Sequence, residues 1–413
     1  MDKRRVVITG MGALTPIGKT AEESWQAAKA GTCGIDTITQ YDTSNQKVHL
    51  AGEVKDFNAE DYLERREARR MDRFTQFAVI AAGEALKNSG LDLETEDRSN
   101  IGVVVSSGIG GITTIQNETL KGNEKGFDKV SPFFIPMVIA NMAAGQIAIK
   151  YGLQGMCTCP VSACAGGSNA IGDAFRHIRD GYADVMVCGG AEAAITPLGM
   201  GGFTSLKALT TCNDPARASI PFDAERSGFV MGEGAGILVL ESYEHAKARG
   251  AHILGEIVGY GSNCDAHHIT APCPDGAGAT ACMRMALADG NVPADEVDYI
   301  NAHGTSTSLN DSGETTAVKN AFGDHARELM MSSTKSMTGH LLGASGAVAA
   351  IFCTLALRDQ FAPPTIHYQV PDPACDLDVV PNEGRSAAIR YAMANAFGFG
   401  GHNASLIFKR WEE

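Results

Sequence analysis

Apolar residues recur along this chain in two rhythms, and glycine punctuates both. Short, mostly apolar runs predict buried strands at residues 5–12, 101–105, 183–190, 229–240, 253–258, 297–302, 388–394 and 404–408. Between them, apolar positions spaced by three and four predict helices at 21–30, 64–82, 138–150, 168–179, 243–249, 278–289, 314–322 and 346–357. Residues 117–130 are a polar excursion and 197–211 a glycine-rich stretch carrying Phe203 and Lys207. Continuous apolar strands alternating with helices specify an α/β architecture whose sheets are covered on both faces. A break near Gly250 divides the chain into parts 1–250 and 251–413; no literal repeat relates them.

Composition narrows the function classes. With 413 residues, 44% of them hydrophobic, the chain can bury a large core, and its net charge of −14 argues against general affinity for nucleic acid. A negatively charged partner must therefore meet a local basic patch. Arg66, Arg69, Arg70 and Arg73 share one face of the helix expected over 64–82 and provide such a patch. Eleven cysteines occur without a CxxC pair or zinc-finger spacing, so no metal site is expected. The N-terminus leads into a strand and not into a long apolar signal region, and no run is read as long enough to span a membrane. Free thiols without a secretion signal point to the cytoplasm.

Several familiar patterns fail on inspection. The glycines after the first strand do not follow dinucleotide-binding spacing, and Pro16 interrupts the helix that should follow. Ser332-Ser333-Thr334-Lys335 matches SxxK without the companion motifs of that set.

Four segments remain. Pro160-Val161-Ser162-Ala163-Cys164-Ala165-Gly166-Gly167 places a cysteine at a helix start, where unpaired N–H groups favour negative charge and pull a thiol towards thiolate. Taken alone, Cys164 reads first as a small buried apolar residue. His303 closes the strand expected at 297–302, and His340 ends Thr334-Lys335-Ser336-Met337-Thr338-Gly339-His340. With Cys164 they compose a thiol nucleophile and two hydrogen-bond donors or proton carriers. Phe399 lies in Gly398-Phe399-Gly400-Gly401, a tight turn whose backbone could face a substrate, or an ordinary bulge between two strands.

Together, Ser162-Ala163-Cys164-Ala165-Gly166, Asn301-Ala302-His303-Gly304-Thr305-Ser306-Thr307, the Lys335–His340 segment and the Phe399 turn resemble the elongating β-ketoacyl-(acyl-carrier-protein) synthases of type II fatty-acid synthesis. The resemblance runs from Val6 to Phe408. It implies a thiolase-like α/β fold, five-layered αβαβα with two similar halves, the first carrying the cysteine and the second both histidines, and a homodimer. It implies a decarboxylating condensation in which Cys164 carries the acyl group, with Cys164 and Phe399 N–H groups as the oxyanion hole. His303 and His340 would act on the malonyl unit and Lys335 would tune them. Thr305 and Thr307 would hold a phosphopantetheine arm that arrives on acyl carrier protein, no other cofactor being needed. Ile109, Phe203 and Phe399 would line and gate the acyl pocket, and Arg66, Arg69, Arg70 and Lys207 would receive the acidic carrier.

Three positions depart from that pattern: Gly167 replaces a usual Thr or Ser, Ser308 a usual Pro, and Ala349 a glutamate that ordinarily pairs with the lysine. Lys335 then needs another partner, and Glu314 is the expected one. A polyketide or aryl-polyene ketosynthase would use the same three residues. A non-catalytic chain-length partner is disfavoured by Cys164, a thiolase by the absence of a second cysteine near Phe399, an initiating synthase by His340, and a hydrolase by a carrier-protein site that excludes water.

Overall fold

A computed structural model describes residues 3–412. Ten strands form one mixed sheet: β1 (Val6–Leu14), β2 (Ile101–Ser106), β3 (Cys157–Thr158), β4 (Val185–Glu192), β5 (Gly234–Ser242), β6 (Gly255–Cys264), β7 (Val297–Asn301), β8 (Met330–Ser332), β9 (Tyr391–Gly398) and β10 (His402–Lys409). Their spatial order is β8-β7-β9-β10-β6-β1-β5-β4-β2-β3. The six helices that cover them here are α1 (Arg73–Ser89), α2 (Met142–Tyr151), α3 (Gly166–Arg179), α4 (Ala277–Gly290), α5 (Ser308–Phe322) and α6 (Ser345–Asp359).

Strands alternate their side chains between two faces, and here both faces are buried. In β5, Ala235, Ile237 and Val239 pack with α1 and α2, whereas Leu238 and Leu240 join α3 and α6. In β10, Ile407 packs towards α4 and α5, and Leu406 and Phe408 towards α3 and α6. Three large apolar clusters thus lie between five layers: α1 and α2, the first half-sheet, α3 and α6, the second half-sheet, then α4 and α5. Burial on two faces explains why the strands read as unbroken apolar runs.

The duplication that no sequence repeat revealed is explicit in the strand order. From the centre outwards, one half runs β1-β5-β4-β2-β3 and the other β6-β10-β9-β7-β8. Directions match as well: β1–β5 and β6–β10 are antiparallel, as are β5–β4 and β10–β9, whereas β4–β2 and β9–β7 are parallel. Within the sheet a short β1–β6 pairing, Val6↔Ile257 to Ile8↔Gly255, joins them.

Some local expectations change. The helix expected over 64–82 is broken into Arg65–Ala68 and α1, because Asp72 caps α1 and also accepts two hydrogen bonds from Thr114, at 2.8 and 2.6 Å. The break turns Arg73 inward onto buried Glu233, with bonds of 2.9 and 2.6 Å, and removes it from the arginine face. The polar excursion is largely the amphipathic helix Ile112–Lys125, and Pro197–Ser205 is helical despite three glycines, with Pro197 in its first turn and Thr196 capping it. One run, Leu342–Asp359, is long and apolar enough to cross a membrane by length and composition, contrary to the expectation above; 89% of it is buried in the layer between the half-sheets. None of the eleven cysteines is paired.

Candidate active site

The nucleophile candidate stands on a strained turn. After β3 the chain reaches Ala163 with φ +50°, a left-handed conformation costly for a residue with a Cβ, then makes the single 3-10 turn Ala163–Ala165 directly into α3. Gly166 permits the approach: a Cβ there would lie 2.0 Å from Ser106 Oγ. Gly167 sits against the carbonyl of Gly343, which a Cβ would meet at 2.8 Å, so the larger residue usual here has no room in this packing.

Cys164 is buried, and its Sγ lies 3.0 Å from His340 Nε2. The thiolate expected from the helix start is not the resting form. Burial pushes the thiol up to about 12; the positive Lys335 and the backbone N–H groups of Phe399 and Cys164 pull the other way without cancelling it. Desolvation of an enclosed sulfur outweighs a partial charge at one helix end.

His303 stands two residues beyond β7, the end of a parallel strand from which side chains project out of the sheet. Its backbone is held by Glu314 on α5, which accepts from the His303 and Gly304 N–H groups at 2.9 and 2.8 Å. His340 is anchored through its own N–H to the Val230 carbonyl at 2.7 Å. The imidazole rings meet edge to face, 5.3 Å between centroids. Burial and the nearby Lys335 charge drive both histidines well below the ordinary histidine range, so both are neutral.

Lys335 is buried, and among the described residues its Nζ makes one weak hydrogen bond, 3.5 Å to the Ala302 carbonyl. Glu314 does not form the expected close ion pair with it. The carboxylate is spent on backbone N–H groups and acts on Lys335 only through its charge, the strongest influence opposing desolvation, and the lysine is pushed down to about 8 while Glu314 is pushed up to about 7. Ser308 occupies the first position of α5, a place proline also suits.

A cavity of about 330 Å³ leads from the surface to these groups. Cys164, His303 and His340 lie on its wall, with Thr305, Thr307 and Phe399; Lys207 is at its exposed mouth. The two threonine hydroxyls are 3.0 Å apart. Phe399 belongs to the β9–β10 turn, where Gly400 and Gly401 have φ of +87° and +75°. A Cβ at Gly398 would lie 3.0 Å from the Cys164 nitrogen and 2.8 Å from the Ser162 carbonyl, so glycine lets this turn close on the nucleophile. Ile109 and Phe203 pack with Cys164 in one apolar cluster, and Phe203 is 6.3 Å from the Phe399 ring. Arg66, Arg69 and Arg70 are exposed but do not line the cavity; Arg70 lies 4.7 Å from the centroid of Phe133.

Two supporting residues escaped sequence reasoning. Glu192, fully buried at the end of β4, accepts from Ser107 Oγ and from the N–H groups of Gly108, Ile109 and Gly343 at 2.7–3.1 Å. A carboxylate closing an otherwise apolar strand was its signal. Ser345, at the start of α6, lies 2.9 Å from His340 Nδ1 and carried no signal, since serine is common at helix starts.

With this geometry in view, comparison with known proteins is informative. The family "Beta-ketoacyl synthase, N-terminal domain" matches residues 3–246, and "Beta-ketoacyl synthase, C-terminal domain" residues 254–369. A protein named 3-oxoacyl-(acyl-carrier-protein) synthase 2 from Synechocystis is 52% identical over 413 residues, covering 100% of this chain and 99% of that protein. The Staphylococcus aureus protein of the same name is 53% identical over 409 residues, 99% of each. Among solved structures, a ketosynthase of a type II polyketide system in complex with its acyl carrier protein, bound to a hexaketide, superposes with TM-score 0.92 at 36% identity and full coverage of both chains. The ishigamide ketosynthase/chain length factor gives 0.93 at 37% identity, covering 99% of this chain and all of that one.

Proposed function

The chain belongs to the β-ketoacyl synthase family, and from that premise we propose that it is an elongating 3-oxoacyl-(acyl-carrier-protein) synthase of fatty-acid synthesis. It condenses acyl carrier protein thioesters with malonyl carrier protein. The carrying observation is Cys164 Sγ 3.0 Å from His340 Nε2, on the wall of one cavity with His303 and beneath the Phe399 turn.

Cys164 Sγ attacks the thioester carbon of the acyl carrier protein. The carbonyl electrons move to oxygen, where the N–H groups of Cys164 and Phe399 receive them; such a donor lowers a barrier by about 3 kcal/mol. The pantetheine sulfur leaves, taking up the proton that Cys164 has lost. Malonyl carrier protein then occupies the cavity, with Thr305 and Thr307 hydrogen-bonded to its phosphopantetheine. Loss of carbon dioxide leaves its bonding pair as an enolate, whose oxygen accepts from neutral His303 and His340. The enolate carbon attacks the acyl-Cys164 carbonyl, the C–C bond forms, and the Cys164 sulfur departs. Neutral imidazoles suit this step because an imidazolium would protonate and quench the carbanion. Lys335 contributes a positive field without bonding to the reacting atoms.

Ile109 and Phe203 form the apolar lining for the acyl chain, with Phe399 as its gate. The acidic carrier docks on Arg66, Arg69, Arg70 and Lys207, an orientation in which positive charge near the cavity mouth steers the pantetheine arm. Two copies pair along the edge strand β3, where exposed Ile149 on the neighbouring α2 and Val161 just after β3 supply apolar area that a lone chain leaves in water. With unpaired thiols throughout, the cytoplasm is the fitting compartment.

The test incubates purified protein with a panel of acyl- and malonyl-carrier proteins and follows the mass of the Cys164 peptide and of the product. Acyl-Cys164 followed by a β-ketoacyl product two carbons longer is expected. Acylation without elongation, or hydrolysis alone, would overturn the reading.

A further inference from the structure

The two histidines are held differently. His303 Nδ1 is buried and has no hydrogen-bond partner. His340 is held at both nitrogens: Nε2 faces Cys164 Sγ at 3.0 Å, and Nδ1 faces Ser345 Oγ at 2.9 Å. Ser345 is 6% exposed, and His340 Nδ1 is the sole hydrogen-bond partner of its hydroxyl among the described residues. Among the described residues no backbone N–H is hydrogen-bonded to that nitrogen either.

A hydroxyl carries one proton that needs an acceptor, whereas its lone pairs can be left unused at smaller cost. Here the sole acceptor is Nδ1. Two protons compete for this neutral ring, one on the Ser345 hydroxyl and one on the Cys164 thiol, and a thiol is the weaker donor. Ser345 therefore donates, Nδ1 accepts, and the ring proton of the neutral imidazole resides on Nε2. We infer that Ser345 is a positioning residue that locks His340 as the Nε2–H tautomer, making it a fixed hydrogen-bond donor to the sulfur and to the enolate oxygen. His303, unsupported at Nδ1, takes its tautomer from whatever fills the cavity. The two histidines are consequently not interchangeable. The same helix face explains the placement: Ser345, Ala349 and Cys353 lie at successive four-residue steps of α6, and Cys353 Sγ points to the Met393 carbonyl on β9. The chain thus has a hydroxyl supporting His340 on the face where Ala349 offers no polar group.

The catalytic consequence rests on the condensation proposed above; the tautomer does not. Ring-15N-histidine protein, without substrate, is read by long-range proton–nitrogen correlation, with His340→Gln assigning the signals. Wild type is expected to show His340 as the Nε2–H form alone. Ser345→Ala should convert it to a tautomer mixture and lower kcat for malonyl decarboxylation about tenfold with KM little changed, the size of one lost hydrogen bond. Ser345→Thr, which keeps the hydroxyl, should restore both. An Nδ1–H signal in the wild type, or unchanged ring-nitrogen shifts in Ser345→Ala, would overturn the inference. A tautomer change in a protein that forms no β-ketoacyl product would sink the proposed reaction and leave the Ser345 assignment standing.

Discussion

The turn before α3 and the turn before α6 are the same device in the two halves of the sheet. Each follows the outermost strand of its half, opens on a non-glycine residue in the left-handed region (Ala163 at φ +50°, Leu342 at φ +46°), makes one 3-10 turn and continues directly into a helix. The second residue of the first turn is Cys164; that of the second is Gly343. A Cβ at Gly343 would lie 2.5 Å from the Gly108 nitrogen and 2.9 Å from Glu192 Oε2, so no side chain fits. One turn is spent on chemistry and the other on packing. Buried glutamates repeat the contrast: Glu192 holds the loop after β2, and Glu314 the corresponding loop after β7, which carries His303. A duplicated backbone supplies equivalent positions, and the site arises because only one half puts a nucleophile there and only the other supplies the histidines.

The sharpest break of this comparison is Cys164→Ala. It should abolish acyl loading, a loss of at least about a thousandfold in condensation, with the melting temperature unchanged; persistent acylation by mass spectrometry would remove Cys164 from its place. Gly343→Ala should do the reverse in kind. Forcing a methyl against backbone is expected to cost about 2–3 kcal/mol of stability, seen in denaturant titration. A neutral result would mean the second turn is not a packing element.

Lys335→Ala tests the half that holds the histidines. It should lower malonyl decarboxylation about tenfold while leaving acyl transfer to Cys164 nearly intact, because one tenfold step corresponds to the modest field of a buried charge. Equal losses in both half-reactions would contradict its assignment. The smallest effect is on pH dependence. Below about 7 Glu314 gains a proton and loses its charge; above about 8 Lys335 loses its proton. Both are charged only in between, so decarboxylation should be fastest from about pH 7 to 8 and fall on either side. Glu314→Gln should flatten the acid limb and Lys335→Met the alkaline limb, each by steady-state rates across pH.

Much of the architecture was legible because strand and helix periods are local properties. Doubly buried strands are apolar throughout and amphipathic helices repeat at three and four, so the α/β alternation shows in the chain itself. The chemical types of the site were equally local: a cysteine before a helix, one histidine after a strand, a second ahead of an apolar helix, glycines at the Phe399 turn. What the tertiary structure decided depends on distance and burial between segments far apart in sequence. Arg73 belonged by spacing to an exposed face, yet Asp72 breaks the helix and Glu233 takes its charge from 160 residues away. Glu314 looked like a partner for Lys335, but two backbone N–H groups claim its oxygens first. Cys164 looked like a thiolate from its helix start, and burial, which no local pattern reports, keeps it a thiol. The sequence determined which residues could do chemistry; only the packing of two similar half-sheets decided their protonation and their partners, because charge and hydrogen bonding answer to the three-dimensional surroundings of an atom and not to its neighbours along the chain.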